Sequence, residues 1–411
     1  MAALLRYLVG EYLEERVPEE HEVGIQVFGR PPHWVTQDDR IVSTNLRNLR
    51  DSLESYYATD GLNDPILVQF PKGSGCRATV SYAPHSPANV AYLRGLQNLR
   101  SFAPQDGQNA VAHFQEALAA DPQHAPSHAR MGQALCNLSW YVYERPPIEL
   151  LLAAQECVNR AIELAPEAWE SLVSAAVVDM CLHRWKEATE KFERALAINE
   201  FHTRNHLWFC QWLDITGRLP ETFIKTERDL LNAPDDVFCT QTHVYSLYFT
   251  RRFTEAEELC RELLSIDRFS FGGHGVMFLI SMGAGKYEQA LRHAQQIHAL
   301  AQIDIVSGLV ALAHGKLGHR ELAQEILNRL EVQAKSSYVT KFQLSAAYMG
   351  VDDLEAAVRM LEEAKADYDP WLMYLHFMPL FDPLRDMPRF RELLLQLGLP
   401  HRPKSKSANT I

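Results

Sequence analysis

Gly283-Ala284-Gly285-Lys286 is the stretch of this 411-residue chain that comes closest to a chemical motif. Glycines ahead of a lysine can wrap a phosphate in backbone N–H groups, but the pattern that does so is GxxxxGK followed by Ser or Thr. Here Ile280 stands in the first glycine's place and Tyr287 follows the lysine, so a turn between helices is expected instead. Lys72-Gly73-Ser74-Gly75-Cys76 departs from the same pattern and reads as a hairpin loop. Gly272-Gly273-His274-Gly275 would weaken the start of a helix, and a close helix crossing explains it better than backbone approach to a ligand. The 17 histidines are scattered, with no HExxH and no cluster with cysteines or carboxylates, so no metal is expected. The seven cysteines, at 76, 136, 157, 181, 210, 239 and 260, include no CxxC. Most lie in apolar helical patterns, which predicts reduced, buried thiols. No serine or cysteine nucleophile motif occurs. A non-enzymatic chain without a cofactor is the expectation.

What the spacing does specify is a scaffold. Ala154, Ala188, Thr222, Ala256, Ala290, Ala323 and Ala357 follow one another at steps of 34, 34, 34, 34, 33 and 34 residues. Val158, Phe192, Thr226, Cys260, Ala294, Leu327 and Leu361 run beside them, as do Ala161, Ala195, Asp229, Leu263, Ile297, Leu330 and Ala364. A fixed period near 34 with small and apolar residues in phase is the signature of a helical-pair repeat. One pair cannot bury its own apolar face; stacked neighbours do, and the array grows into a superhelix. About eight repeats are expected over residues 89–369, the first two stretched. The fourth, with Thr222, Thr226 and Asp229 on its ladders, is expected to be a loose joint or to face outward. Residues 370–398 should form capping helices over the end of the stack. The basic, serine-containing run 399–411 is expected to be disordered.

Residues 1–82 lack the period. Leu4, Leu5, Leu8 and Tyr12 have helical spacing. Val23, Ile25 and Val27 alternate before the breaker Gly29-Arg30-Pro31-Pro32. A helix over 40–58 carries the stripe Ile41, Val42, Leu46, Leu49, Leu53, Tyr56 and Tyr57. Residues 66–70 and 77–82 read as a hairpin around a Gly-rich loop. Helix, helix, hairpin is the order of a winged helix, and 83–88, with two prolines, is a short stiff linker.

The run Phe28-Gly29-Arg30-Pro31, Asp39-Arg40-Ile41-Val42, Leu46-Arg47-Asn48-Leu49-Arg50, Leu53-Glu54-Ser55-Tyr56-Tyr57 and Phe70-Pro71-Lys72-Gly73-Ser74 resembles a bacterial winged-helix-like domain. Such domains head regulatory proteins built of tetratricopeptide repeats (TPR), and they commonly have a further helix upstream. Tyr92-Leu93-Arg94-Gly95-Leu96, then Phe114-Gln115-Glu116-Ala117-Leu118 and Asp121-Pro122, resemble the opening repeat of the same proteins. The resemblance implies a mainly α fold: a TPR helical-pair solenoid with a small N-terminal α+β winged-helix-like domain. It implies a transcriptional regulator whose helix near Ser43, Asn45, Arg47 and Arg50 enters the DNA major groove. The hairpin, with Lys72 and Arg77, would touch the DNA backbone. Against this, residues 1–82 hold eight Lys/Arg and twelve Asp/Glu, a net −4, and phosphate neutralisation supplies most non-specific DNA affinity. A protein-docking head on a pure scaffold is the alternative.

The inner groove of the array is the other candidate site. Projecting the period places Arg204, Gln211, Gln241, Tyr245 and Tyr248 on the first helices of their repeats, a mix of groups suited to a peptide. A protein or peptide partner in that groove is expected. The net charge of −12 argues against bulk coating of nucleic acid. The start of the chain, interrupted by Glu11, Glu14 and Glu15, does not read as a signal peptide, and no window is apolar enough for a membrane span. A cytoplasmic location is expected.

Overall fold

The computed structural model describes residues 2–400 except 15, 37–38, 59–65, 72–74, 83–85, 100–102, 142–144, 201–206, 233–236 and 302–305. They form two compact units, one from residues up to 93 with 116–122, the other from 94–115 and residues from 123 onward.

The first unit contains α1 (Ala2–Leu13), α2 (Glu20–Phe28), α3 (Ile41–Ala58) and the strands β1 (Ile66–Gln69) and β2 (Thr79–Tyr82). The strands pair antiparallel, Ile66 opposite Tyr82 and Gln69 opposite Thr79. The alternation Val23, Ile25, Val27 lies on helix α2, not on extended chain. Glu20 and Glu22 sit favourably in its first turn, and Gly29 ends it in the left-handed conformation, φ 64°. On α3, Val42, Leu46 and Leu49 are buried at spacings that keep them on one face, against Leu4, Leu8, Val23 and Phe70.

The second unit is a stack of helical pairs. It begins with residues 94–99 of α4 (Pro87–Leu99) and 104–115 of α5 (Pro104–Ala120), the first pair. Then come α6 (Ala125–Ser139) with α7 (Pro147–Leu164), and α8 (Trp169–Cys181) with α9 (Trp185–Ile198). Next are α10 (Leu207–Ile215) with α11 (Leu219–Asn232), and α12 (Val237–Phe249) with α13 (Phe253–Ile266). The series continues with α14 (Phe271–Gly283) and α15 (Tyr287–Ala301), α16 (Ser307–Lys316) and α17 (Arg320–Gln333), then α18 (Lys341–Gly350) and α19 (Leu354–Ala364). Two 3₁₀ turns, Pro370–Tyr374 and Pro379–Leu384, and α20 (Pro388–Gln396) follow.

The period has a backbone cause as well as a packing one. Ala154, Ala188, Ala256, Ala290, Ala323 and Ala357 are all fully buried where a larger side chain would hold paired helices apart. Between the helices of six successive pairs stands a left-handed residue: His183, Gly217, Arg251, Gly285, Gly318 and Asp352, φ between 56° and 88°. In each, the following N–H returns to a carbonyl five residues back, as in Arg184 to Asp179 (2.8 Å), Lys286 to Ser281 (2.8 Å) and Asp353 to Tyr348 (3.0 Å). This is the Schellman arrangement, which satisfies helix-end carbonyls and turns the chain sharply.

In the fourth pair the polar ladder residues do not face outward. Thr222 and Thr226 are buried and hydrogen-bonded: Thr226 Oγ1 reaches Thr222 O at 3.0 Å and His243 Nδ1 at 2.9 Å. Asp229 pairs with Lys225. Polar ladder residues are tolerated there because each has a partner. At α16 and α18 the backbones touch: a Cβ on Gly315 would lie 1.8 Å from the Gly350 carbonyl oxygen, and one on Gly308 2.0 Å from that of Gln343.

Candidate partner-binding surfaces

The Gly-Lys stretch is one of the Schellman turns. Gly285 is its left-handed residue, and Lys286 Nζ is paired with Glu257 at 2.5 Å. Gly283 lets Phe253 pack onto α14, where a Cβ would come within 2.6 Å of the ring. In the glycine run at 272–275, a Cβ on Gly272 would lie 2.3 Å from Gln241 Nε2, and one on Gly273 2.9 Å from Leu264. Those two are close crossings; Gly275 faces open space. Among the described residues no three His, Cys, Asp or Glu side chains gather where they could hold a metal ion. His274 and His293 meet through their Nδ1 atoms at 2.9 Å, and burial beside His274 lowers the pKa of His293 to about 4. Burial likewise pushes the thiols of Cys76 and Cys157 up to about 11 and those of Cys210 and Cys260 to about 12.

In the first unit the proposed reading helix is partly occupied with its own fold. Ser43 Oγ donates to Arg40 O at 3.2 Å, and Asn45 Nδ2 to Ile41 O at 2.8 Å. Arg50 pins α3 to the hairpin: its Nε donates to Phe70 O at 2.5 Å and Nη2 reaches Gly75 O at 3.5 Å. Arg47 is exposed on the outward face of α3 with Thr44, Asn48 and Asp51, and Arg77 is exposed beyond the helix. Lys72 lies outside the described residues. A further hollow, lined by Tyr12, Leu13, Arg16, Val17, Arg77 and Ala78, encloses about 420 Å³. Arg16 there is already paired with Glu11 and Glu14.

Of the residues that the period places along the inner groove, two are buried and two are half-buried. Gln241 is buried beneath Gly272, and Tyr248 is fully buried against Phe249 and Phe253. Tyr245 is half-buried and stacks on Phe249 with centroids 6.0 Å apart; burial raises both tyrosine pKa values. Gln211 is half-buried, with Oε1 enclosed and unpartnered. Val173 and Val177 are core between helices. Arg204 lies outside the described residues.

The C-terminal segment adds to this burial, because it runs along several first helices instead of only covering the last pair. Trp371 stacks on Phe342 of α18 (4.6 Å, 9°) and meets Trp140, at the end of α6, edge-on at 5.3 Å. Tyr374 packs on Trp140 and on Phe249 of α12, and Phe377 meets Phe249 edge-on at 4.9 Å. Asp382 receives both Nη atoms of Arg251, at 2.5 and 2.7 Å. Arg385, 1% exposed, completes the knot: Nε donates to Asp382 and its two Nη atoms to the carbonyls of His376 and Met378. Leu397 O accepts from Trp185 Nε1 at 2.5 Å. Leu372, Met373, Leu375, Phe377, Met378, Phe381 and Leu384 are each at most 3% exposed. At about 1.5–3 kcal/mol per such side chain, before the cost of ordering the segment, their burial is a large favourable contribution to the fold. One signal for this was legible: residues 371–381, WLMYLHFMPLF, contain no Asp, Glu, Lys or Arg, too apolar a run for a surface cap.

These features define a TPR-like helical-repeat solenoid. A scan of protein-family models and a search of curated proteins give no match. Among solved structures, the fold is similar to YrrB, described as a TPR protein with an unusual peptide-binding site: 15% identity over 47% of this chain and 94% of that one, TM-score 0.29. It is similar to the human IFIT1 dimer with m7Gppp-AAAA, at 13% identity over 88% and 85% of the two chains, TM-score 0.45. The APC/C hetero-tetramer Cut9–Hcn1 gives 13% identity over 86% of this chain and 59% of that one, TM-score 0.46. The likeness is one of fold. No helix among the described residues is long and apolar enough to cross a membrane.

Proposed function

We propose that this chain is a non-enzymatic scaffold that docks a folded protein partner on the edges and outer face of its repeat array, not an extended peptide in the inner groove. The observation that carries this is the filling of the inner face by residues 370–385. Support comes from the C-terminal ends of the second helices: Ile198, Leu231, Ile266 and Val332 are 40%, 78%, 69% and 64% exposed. They recur near the repeat period, with Phe269 (62%) beside Ile266. Aliphatic side chains left in water at repeated positions are the kind of surface a partner covers. The first unit fits the same role better than DNA contact. Arg50 is committed to hairpin carbonyls, and Arg47 faces out beside Asp51, whereas DNA affinity grows with the number of phosphates neutralised.

Affinity capture with mass spectrometry tests the proposal. A partner retained by the wild type and lost with Leu231→Glu plus Ile266→Glu, while both proteins show the same circular dichroism, is the expected result. Retention of every partner by that variant would remove the edge from consideration. Mobility shift at low salt tests the DNA alternative, for which no retention is expected.

A further inference from the structure

Three of the six left-handed turn positions carry a side chain where glycine is the easy choice. Asp352 is exposed, and aspartate is among the residues that adopt this conformation most readily. The other two reach the C-terminal segment. His183 stacks on Tyr368 (5.4 Å, 27°) and packs beside Trp185. Arg251 makes the bidentate pair with Asp382. Tyr368 is itself left-handed, φ 53°, where the chain leaves α19 and turns inward. The segment also ties together elements far apart in sequence: Ile148 N donates to Asp367 O at 3.1 Å, and Tyr338 to Asp367 Oδ2 at 2.9 Å.

We propose that residues 367–385 are a constitutive strap, latched at the turn residues His183 and Arg251, which makes the repeat array unfold as one body and shuts its inner face to outside peptides. Open repeat arrays are held by nearest-neighbour contacts and can fray repeat by repeat. Here Trp371 bridges Trp140 and Phe342, so the second and eighth pairs share one aromatic stack. The strap gives the array contacts that the repeat plan lacks. Left-handed strain at His183 and Arg251 is kept because glycine in either place would drop a latch. The inference goes beyond the scaffold reading and is read without any partner.

Hydrogen–deuterium exchange of the full chain, followed by mass spectrometry over 370–385, tests it. Arg251→Gly removes the latch while giving the turn the residue its backbone favours; Asp352→Gly makes the same backbone change without touching the strap. Arg251→Gly should speed exchange in the strap about tenfold, the worth of a charge-assisted bidentate pair, and Asp352→Gly should leave it unchanged. Should Arg251→Gly fail to fold, Arg251→Lys keeps the charge, loses the fork, and should speed strap exchange to a smaller extent. In a second arm, wild-type chain is incubated with a fluorescent synthetic peptide of residues 367–387, and no uptake is expected. Strap exchange equal in the Arg251 and Asp352 variants would overturn the latch. Uptake of the peptide would show the strap to be a displaceable ligand, not a fixed part of the array.

Discussion

Asp369 stands where the strap begins, and its ionisation offers a measurement with a defined sign. Its Oδ1 caps the first 3₁₀ turn by accepting from Trp371 N at 3.0 Å, and the side chain is buried. Burial raises its pKa from 3.8 to about 7, with Asp367 adding to the rise and backbone N–H groups of Trp371 and Phe342 opposing it. A carboxyl whose folded pKa is raised contributes stability that is fully present below its unfolded pKa and is lost as pH climbs through the folded value. The window here runs from about 3.8 to about 7. Across it the linkage amounts to on the order of 4 kcal/mol, since each tenfold change in proton affinity is about 1.4 kcal/mol. Asp369→Asn keeps a capping oxygen and cannot ionise. Its stability relative to wild type should therefore rise steadily from pH 4 to pH 7 and level off above. Urea unfolding by tryptophan fluorescence, run on both proteins at each pH, gives that difference, and titrations common to both cancel. A difference that stays flat from pH 4 to pH 8 would refute the reasoning, whatever its absolute offset.

Other outcomes follow from the packing. Gly315→Ala should destabilise by about 2–4 kcal/mol, since a Cβ at 1.8 Å from a backbone oxygen can be relieved only by parting α16 and α18. Gly275→Ala, facing open space within α14, should be neutral or stabilising by up to about 1 kcal/mol in the same urea titration. Tyr248→Ala should lower stability by about 3–5 kcal/mol, with any loss of partner binding following the loss of fold in thermal melts. Under native conditions a thiol reagent should label Cys239 first, because it is half-buried whereas the other six cysteines are buried; fast labelling of several would contradict the packing.

The 34-residue ladder was legible because small side chains at helix crossings are a local, repeated demand, and every alanine on it is buried as that demand requires. The hairpin and the α3 stripe were legible for the same reason: alternation and helical spacing are written in neighbouring residues. The alternation at Val23, Ile25 and Val27 misleads because a nine-residue helix with three aliphatics satisfies either period. Position along the repeat also named Gln241, Tyr245 and Tyr248 as groove residues, and their helix and face follow from the period. Their availability does not. It depends on the next pair, whose Gly272 covers Gln241, and on a segment more than a hundred residues later that packs on Phe249 beside Tyr245 and Tyr248.

What the sequence determined by itself was therefore the repeat, its pairing of helices, and the failure of the Gly-Lys stretch to make a phosphate loop. The motif failure rests on neighbouring residues, and the repeat on a local demand that recurs about every 34 residues. Only the tertiary structure decided that the inner face is filled, that Arg251 and His183 occupy left-handed turns, and that Asp382 answers Arg251 across 131 residues. Those are choices among contacts distant in the chain, set by which apolar segment best fills the space the stacked helices leave.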